Sequence, residues 1–324
     1  MQLRASTTTW AGPAARARGR ARTEPRLARG TMAGQRLGVY ELKGLLGEGG
    51  MARVYLAEHT AIERLVAIKR LLPELGHLPA AHALFLREAR IAGAIRHPNL
   101  LEVFDFGYDP DGRPYFVMEL ALGDTLAQRL AHGPLLTSQA LDVAIALTEA
   151  IAAVHRAGYL HRDVKADNVM LARIDRRVVP KLIDFGIARR LDGAAGDAGD
   201  ATEGVAGTPR VMAPEQVARD RVDERTDLWG LGVLLYEMIT GHLPFDPRAS
   251  ARDDMLAVVT DAPRPLPDDV HPGVRAIIGA CLRKDPDERP ASAPALVEQL
   301  RVVQGAYLAA RGMIARGRGR ATGG

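Results

Sequence analysis

A single cysteine, Cys281, stands among 324 residues. No disulfide can form within one chain, and a reducing compartment, the cytoplasm, is the expected setting. The nine histidines show no metal-ligand spacing, which leaves a zinc site little to stand on. No apolar run approaches the ~18 residues that a membrane helix needs. The best candidate, Leu228 to Tyr236, is too short, so no membrane span is expected. There is no internal repeat. Acids are nearly missing from both ends: residues 1–34 hold seven arginines against Glu24, and residues 311–324 hold four arginines and no acid. The ends therefore carry more than the whole net charge of +4, and the body between them is acidic. A nucleic-acid reading drawn from the basic pI would misplace the charge, leaving at most weak electrostatic attraction through the tails.

Residues 1–34 are rich in Arg, Ala, Gly and Thr with almost no apolar periodicity, so they are expected to be a disordered extension. They lack the apolar core of a secretory signal. Their composition fits an organellar transit peptide or translation from an upstream start, and Met32 is expected to be the natural start. The Arg/Gly stretch 309–324 reads as a second disordered tail.

The stretch YLHRDVKADNVML, residues 159–171, organises the rest. It sets Asp163, Lys165 and Asn168 within six residues, between apolar flanks that read as two short strands. Nothing in it has a helical period, so the loop's shape must bring these side chains together. An acid that can take a proton, a nearby cation and a neutral oxygen ligand suit phosphoryl transfer.

Earlier in the chain the pattern has period two. Tyr40, Leu42 and Leu46 read as one strand, Val54 and Leu56 as the next, and Leu65 to Ile68 as a third. The first turn, GEGGMARV at 47–54, is glycine-rich, which lets backbone N–H groups approach an anion. Lys69 falls on the apolar face of Ala67 and Leu65. Residues 78–95 read as a helix whose buried stripe is Leu84, Glu88, Ile91 and Ile95. Two isolated charges, Lys69 and Glu88, thus point inward, and pairing them is the cheapest solution. Strand-like runs at 101–106 and 115–120 flank the turn Asp109-Pro-Asp-Gly112. After Gly123 the chain becomes mainly helical, with helices read at 140–155, 213–218, 228–239, 272–282 and 291–308. Residues 192–207 are small, acidic and glycine-rich and read as a mobile loop.

Taken together these residues resemble the eukaryotic-like protein kinase family, in particular its bacterial serine/threonine members. GEGGMARV (47–54), VAIK (66–69), Glu88, HRDVKADN (161–168), DFG (184–186), GTP (207–209) and APE (213–215) follow in family order. Asp227 in DLWGLGVLLYEM and Arg289 in DPDERP continue the pattern, which covers about residues 36–305. The resemblance implies an α+β, two-lobed fold: a small antiparallel-sheet lobe with one key helix at 35–120, and a larger, mainly helical lobe at 121–308. It implies transfer of the γ-phosphoryl group of ATP, with Mg2+, to Ser/Thr hydroxyls of proteins, including autophosphorylation by a transient pair of copies.

The same resemblance assigns roles. Asp163 accepts the substrate proton and Lys165 neutralises the γ-phosphate. Lys69 holds the α- and β-phosphates and pairs with Glu88, while Asn168 and Asp184 bind magnesium. Leu46, Gly47, Gly49 and Gly50 cover the nucleotide; Val54, Ala67 and Met170 sandwich adenine, with Met118 behind it. The backbones of Glu119 and Ala121 hydrogen-bond the base. Thr208, Glu215, Asp227 and Arg289 are structural. Arg162 before Asp163 goes with control by phosphorylation, and Thr202 is the hydroxyl left for it. Three departures stand out: Ala52 for the third loop glycine, Ala166 for a proline, and Val211 for an aromatic near the substrate groove. None removes a group that the chemistry needs.

Overall fold

The structure is a computed structural model that describes residues 34–175, 177–184, 189–190 and 209–320, with backbone alone at 189–190 and 313–320. It divides into two compact units, one drawn from Met1–Asp124 and Met170–Gly186, the other from Thr125–Val169 and Ile187–Gly324. The first opens with β1 (Arg36–Leu37), β2 (Tyr40–Glu48), β3 (Ala52–His59), β4 (Arg64–Leu71), helix α1 (Pro79–Ala94), β5 (Val103–Tyr108), β6 (Pro114–Met118) and β7 (Gly123–Thr125). The second contributes α2 (Leu126–Leu130), α3 (Thr137–Arg156) and β8 (Tyr159–Leu160). The chain re-enters the first unit with β9 (Val169–Ile174) and β10 (Arg177–Leu182). It ends in the second with β11 (Arg189–Arg190), α4 (Pro214–Ala218), α5 (Glu224–Thr240), α6 (Ala251–Thr260), α7 (Pro272–Cys281) and α8 (Ala293–Arg320).

In the first unit an antiparallel sheet runs β1-β2-β3-β4-β6-β5. Alternation along the strands sorts side chains to its two faces. Val66, Ile68, Tyr115 and Val117 join Leu37, Tyr40, Leu42, Tyr55 and Ala57 on one face. Ala67, Leu71, Phe116 and Met118 join Ala81, Phe85 and Ala89 of α1 on the other. Lys69, between Ile68 and Arg70, therefore faces α1, whereas Leu65 at the start of β4 is exposed, beyond the reach of the cluster. Of the expected stripe on α1, Glu88, Ile91 and Ile95 are buried and Leu84 is not. Phe85 takes its place, fully buried, and packs on Phe116 with ring centroids 5.0 Å apart. At the β5–β6 turn, Oδ1 of Asp109 accepts the N–H groups of Asp111 and Arg113, each at 2.9 Å, and Gly112 adopts φ 78°.

A second sheet, β10-β9-β7, depends on Gly123: a Cβ there would lie 2.1 Å from the Leu171 carbonyl oxygen. Main-chain bonds tie the end of β10 to the segment after α1. Leu101 N–H donates to the Leu182 carbonyl at 3.0 Å and Leu182 N–H to the Asn99 carbonyl at 2.8 Å.

The second unit is built around α5, buried from Thr226 to Tyr236. Asp223 caps its start by accepting the Arg225 N–H, and Gly241, at φ 79°, ends it. α3 is long and apolar enough to cross a membrane, which the sequence reading found in no segment; 67% of that apolar window is buried inside the protein, so its composition is that of a core helix. α6 was not anticipated, because only Ala257 and Val258 of its ten residues are buried and its apolar pattern is correspondingly weak. α8 also departs from expectation, remaining helical to Arg320 where a disordered tail was expected from residue 309. Its first half packs on α3, through Arg301 to Glu149 at 2.6 Å and Gln304 to Asp142 at 2.7 Å. A helix nucleated there extends at the small cost of propagation. The N-terminal extension to residue 33 and the loop 192–207 lie outside the described residues.

Two glycines let α5 approach its neighbours closely. A Cβ on Gly230 would meet Val164 Cβ at 2.9 Å and its carbonyl oxygen at 3.1 Å, and one on Gly232 would meet Cys281 Cβ at 2.4 Å. Gly230→Ala is expected to lower stability by about 1–3 kcal/mol through displacement of Val164. Gly279→Ala on α7, where a Cβ meets nothing within 4 Å, should raise it by up to about 1 kcal/mol. Urea midpoints of the two variants, compared with wild type, check both signs.

Candidate functional site

The first unit presents a buried cation between two acids. Lys69 Nζ lies 2.6 Å from Glu88 Oε1 and 3.5 Å from Asp184 Oδ1. Burial alone would lower the Lys69 ammonium, but the charges of Glu88 and Asp184 outweigh it and hold the group above its ordinary value. Glu88, deeper still, is pushed up to about 7 by burial and by the Asp184 carboxylate, against the pull of Lys69. The Asp184 side chain, at 40% exposure, is the acid of this set that a ligand can reach.

Around it, Leu46, Val54 and Ala121 pack against the cluster that contains Ala67 and Met118, so five of the apolar residues assigned to the nucleotide meet in one hydrophobic cluster. Met170 lies apart from that cluster, on β9. The Glu119 N–H donates to the Glu102 carbonyl at 2.9 Å, so the expected main-chain contact with adenine at that residue would have to use its carbonyl. In the turn between β2 and β3, Gly49 N–H donates to the Ala52 carbonyl at 2.9 Å. Gly47 and Gly50 have no left-handed φ, and a Cβ at either would meet no protein atom within 4 Å. The turn itself does not demand them; open space beside the backbone is what close approach of a large anion requires.

The second unit holds the loop of residues 161–168. Oδ2 of Asp163 lies 2.7 Å from Lys165 Nζ and accepts Asn168 Nδ2 at 2.7 Å, while the same Nδ2 donates to the Asp163 carbonyl at 2.9 Å. Asn168 thus spends its amide nitrogen on Asp163, and the atom it has to offer a cation is Oδ1. Arg162 sits at φ 68°, a left-handed conformation that costs a non-glycine residue about 1–3 kcal/mol. Asp227 holds it there: Oδ1 accepts the Arg162 N–H at 2.7 Å, and Oδ2 accepts the His161 N–H at 2.9 Å and His155 Nε2 at 2.8 Å. Burial would raise the Asp227 carboxyl, but the hydrogen bond and charge of His155, with those of His161, hold it below its usual range. From the other side Gln216 Nε2 donates to the Arg162 carbonyl at 3.0 Å.

Glu215 and Arg289 form a buried bidentate pair, 2.8 Å at both contacts, with Thr226 Oγ1 donating to Glu215 at 2.8 Å. The remaining Arg289 donors reach the carbonyls of Arg283, Arg225 and Lys284. The pair is fully satisfied within the protein. Thr202, Thr208, Phe185 and Gly186 lie outside the described residues, as do the side chains of Arg189 and Arg190.

Among the described residues no group of three or more His, Cys, Asp or Glu side chains could enclose a metal. Asp184 and Asn168 offer one carboxylate and one amide oxygen. Either oxygen suits a hard cation that keeps several waters and takes its remaining ligands from phosphates, as magnesium does; Asp184 belongs to the first unit and Asn168 to the second. Gln216, Gly230, Lys181 and Glu237 escaped the sequence reading, because each acts through a contact with a residue distant in the chain.

The sequence profile of the protein kinase domain matches residues 40–300. A probable serine/threonine-protein kinase of Streptomyces coelicolor is 40% identical over 265 residues, 79% of this chain and 38% of the relative. The serine/threonine-protein kinase pkn2 of Myxococcus xanthus is 37% identical, over 82% of this chain and 32% of its own length. PknH of Mycobacterium tuberculosis, a serine/threonine-protein kinase, is 36% identical over 82% of this chain and 42% of its own. The chain therefore spans between 32% and 42% of the length of these relatives.

Glu237 on α5 has its carboxyl raised to about 7, by burial first and by the nearby Asp167 carboxylate second, with Arg210 opposing. An unfolded glutamate loses its proton near 4.5. Between the two values the folded state holds the extra proton, so stability falls as pH rises through that window. Glu237→Gln is expected to remove this slope, worth up to about 3 kcal/mol, in denaturant midpoints measured between pH 5 and pH 7.5. An unchanged slope would show that Glu237 is ionised throughout.

Proposed function

Because this chain belongs to the protein kinase domain family, we propose that it is a serine/threonine protein kinase that transfers the γ-phosphoryl group of ATP to protein hydroxyls. The observation that carries this reading is the transfer loop, where one carboxylate, Asp163, is oriented by both Lys165 and Asn168 at 2.7 Å. A chain that serves only as a scaffold has no need of an acid so held.

In this reading Lys69, kept in place by Glu88, binds the α- and β-phosphates, and the turn at 47–50 covers them. Ala67, Val54 and Leu46 pack on adenine, with Met118 behind it and the Glu119 carbonyl and Ala121 main chain reading its edge. Asp184 of the first unit and Asn168 Oδ1 of the second would each offer magnesium an oxygen, and the ion would offset the charge of the triphosphate. Asp163 accepts the proton of the attacking Ser or Thr hydroxyl as its oxygen bonds to the γ-phosphorus. The β–γ bridging P–O bond breaks, ADP departs, and Lys165 offsets charge on the transferred group. We assign autophosphorylation, by a transient pair of copies, to Thr202, with Arg162 as its partner. A reducing cytoplasm accords with the lone Cys281, which is buried.

Purified protein with magnesium and γ-labelled ATP should label itself or an added polypeptide, and hydrolysis should yield phosphoserine or phosphothreonine. Lys69→Met and Asp163→Asn should each reduce transfer by about 100- to 10,000-fold. Nucleotide affinity should survive the second substitution far better than the first. Label passing to a small molecule and to no protein would overturn the proposal.

A further inference from the structure

The phosphate chemistry makes no use of Lys181. It lies on β10, three residues before Asp184, with its side chain only 7% exposed. Its Nζ is 2.7 Å from Glu119 Oε1 and 3.5 Å from the Leu100 carbonyl. Glu119 follows β6 directly and supplies the carbonyl assigned to adenine. Its Oε1 also accepts the Glu102 N–H at 3.1 Å. Residues 99–102 are thus held to both sides at once. They bond Glu119 through Glu102, and β10 through the ladder Leu101–Leu182–Asn99 and through Asn99 Nδ2, which donates to the Pro180 carbonyl at 2.8 Å.

Stability does not account for this ammonium. A buried ion pair can often be replaced by apolar side chains of similar size at no loss, because desolvation cancels the attraction. What an apolar residue would not supply is direction. The Lys181–Glu119 bond fixes one carboxylate, and with it the main chain that presents the adenine carbonyl, against the strand that leads to Asp184.

Building on the nucleotide site proposed above, we propose that Lys181 is a positioning residue for nucleotide recognition. Acting through the Glu119 side chain, it sets the adenine-reading main chain of Glu119 and Ala121 at a fixed distance from Asp184, all within the first unit.

The test is titration of the full chain with magnesium-ATP and, separately, with magnesium-tripolyphosphate, which has no base to be read. Lys181→Met keeps the aliphatic stem and removes the charge. It should weaken ATP by about tenfold, leave tripolyphosphate within about twofold, and raise KM for ATP far more than it lowers kcat. The preference for ATP over GTP should shrink with it. Glu119→Gln should give the same pattern, and the double variant should be no weaker than either single one, since both remove one bond. If Lys181→Met does not fold, Glu119→Gln carries the measurement alone. Equal losses for ATP and tripolyphosphate, or a fall in melting temperature with ATP affinity unchanged, would overturn the proposal. Wild-type protein that binds neither ligand would overturn the kinase reading itself, and is told apart because the failure then precedes any substitution.

Discussion

One carboxylate without access to water, that of Asp227, governs the shape of the loop at residues 161–168. It gathers two consecutive main-chain N–H groups, from His161 and Arg162, and an imidazole from His155. Two adjacent N–H groups converge on one carboxylate only if the chain turns sharply, and the left-handed Arg162 is that turn. The strain is offset by charge-assisted hydrogen bonds in a setting of low dielectric, where they are strongest. Everything downstream inherits this geometry: Asp163 follows Arg162 in the chain, and Lys165 and Asn168 close on Asp163. Gly230 completes the arrangement by letting α5, which carries Asp227, come within van der Waals contact of Val164.

The first unit uses charge differently. Lys69, Glu88 and Asp184 form a set with a surplus negative charge, in which the most buried acid is the one pressed hardest toward neutrality. A bound cation at Asp184 would relieve that pressure, since it removes the like-charge repulsion on Glu88. The residues proposed to hold phosphate and those proposed to face the base come from β2, β3, β4, β6 and the segment 170–186, yet they belong to one compact body. The linear division at residue 120 that the resemblance implies misses this re-entry, because the bonds that create it run between Leu182 and residues 99–101.

The sequence was most legible where local chemistry leaves few alternatives. A lysine and a glutamate, each alone on an apolar face, can be paired without coordinates, since either one buried unpaired would be very costly. The turn at Asp109 announces itself through Asp, Pro and Gly. Much less could be read where a residue acts across the fold. Nothing around Gly230 says that Val164 will press on it, and Gln216 gives no sign that it will hold the Arg162 carbonyl. On α1 only the first member of the expected stripe, Leu84, was misplaced, because Leu84 and Phe85 both fit a helical period and the aromatic contact with Phe116 decides between them. α6 lacked the apolar pattern that would have revealed it, and the end of α8, residues 309–320, has a composition that reads as coil until its packed half is known.

The continuity of α8 has a mechanical meaning. Its residues 309–320 prolong a helix already anchored on α3, a rod of about 18 Å. A flexible tether conveys only proximity, whereas a helix conveys azimuth as well: each added or deleted residue turns its far end by about 100°. Anything carried at that end would therefore be aimed, and its bearing would depend on the number of residues between.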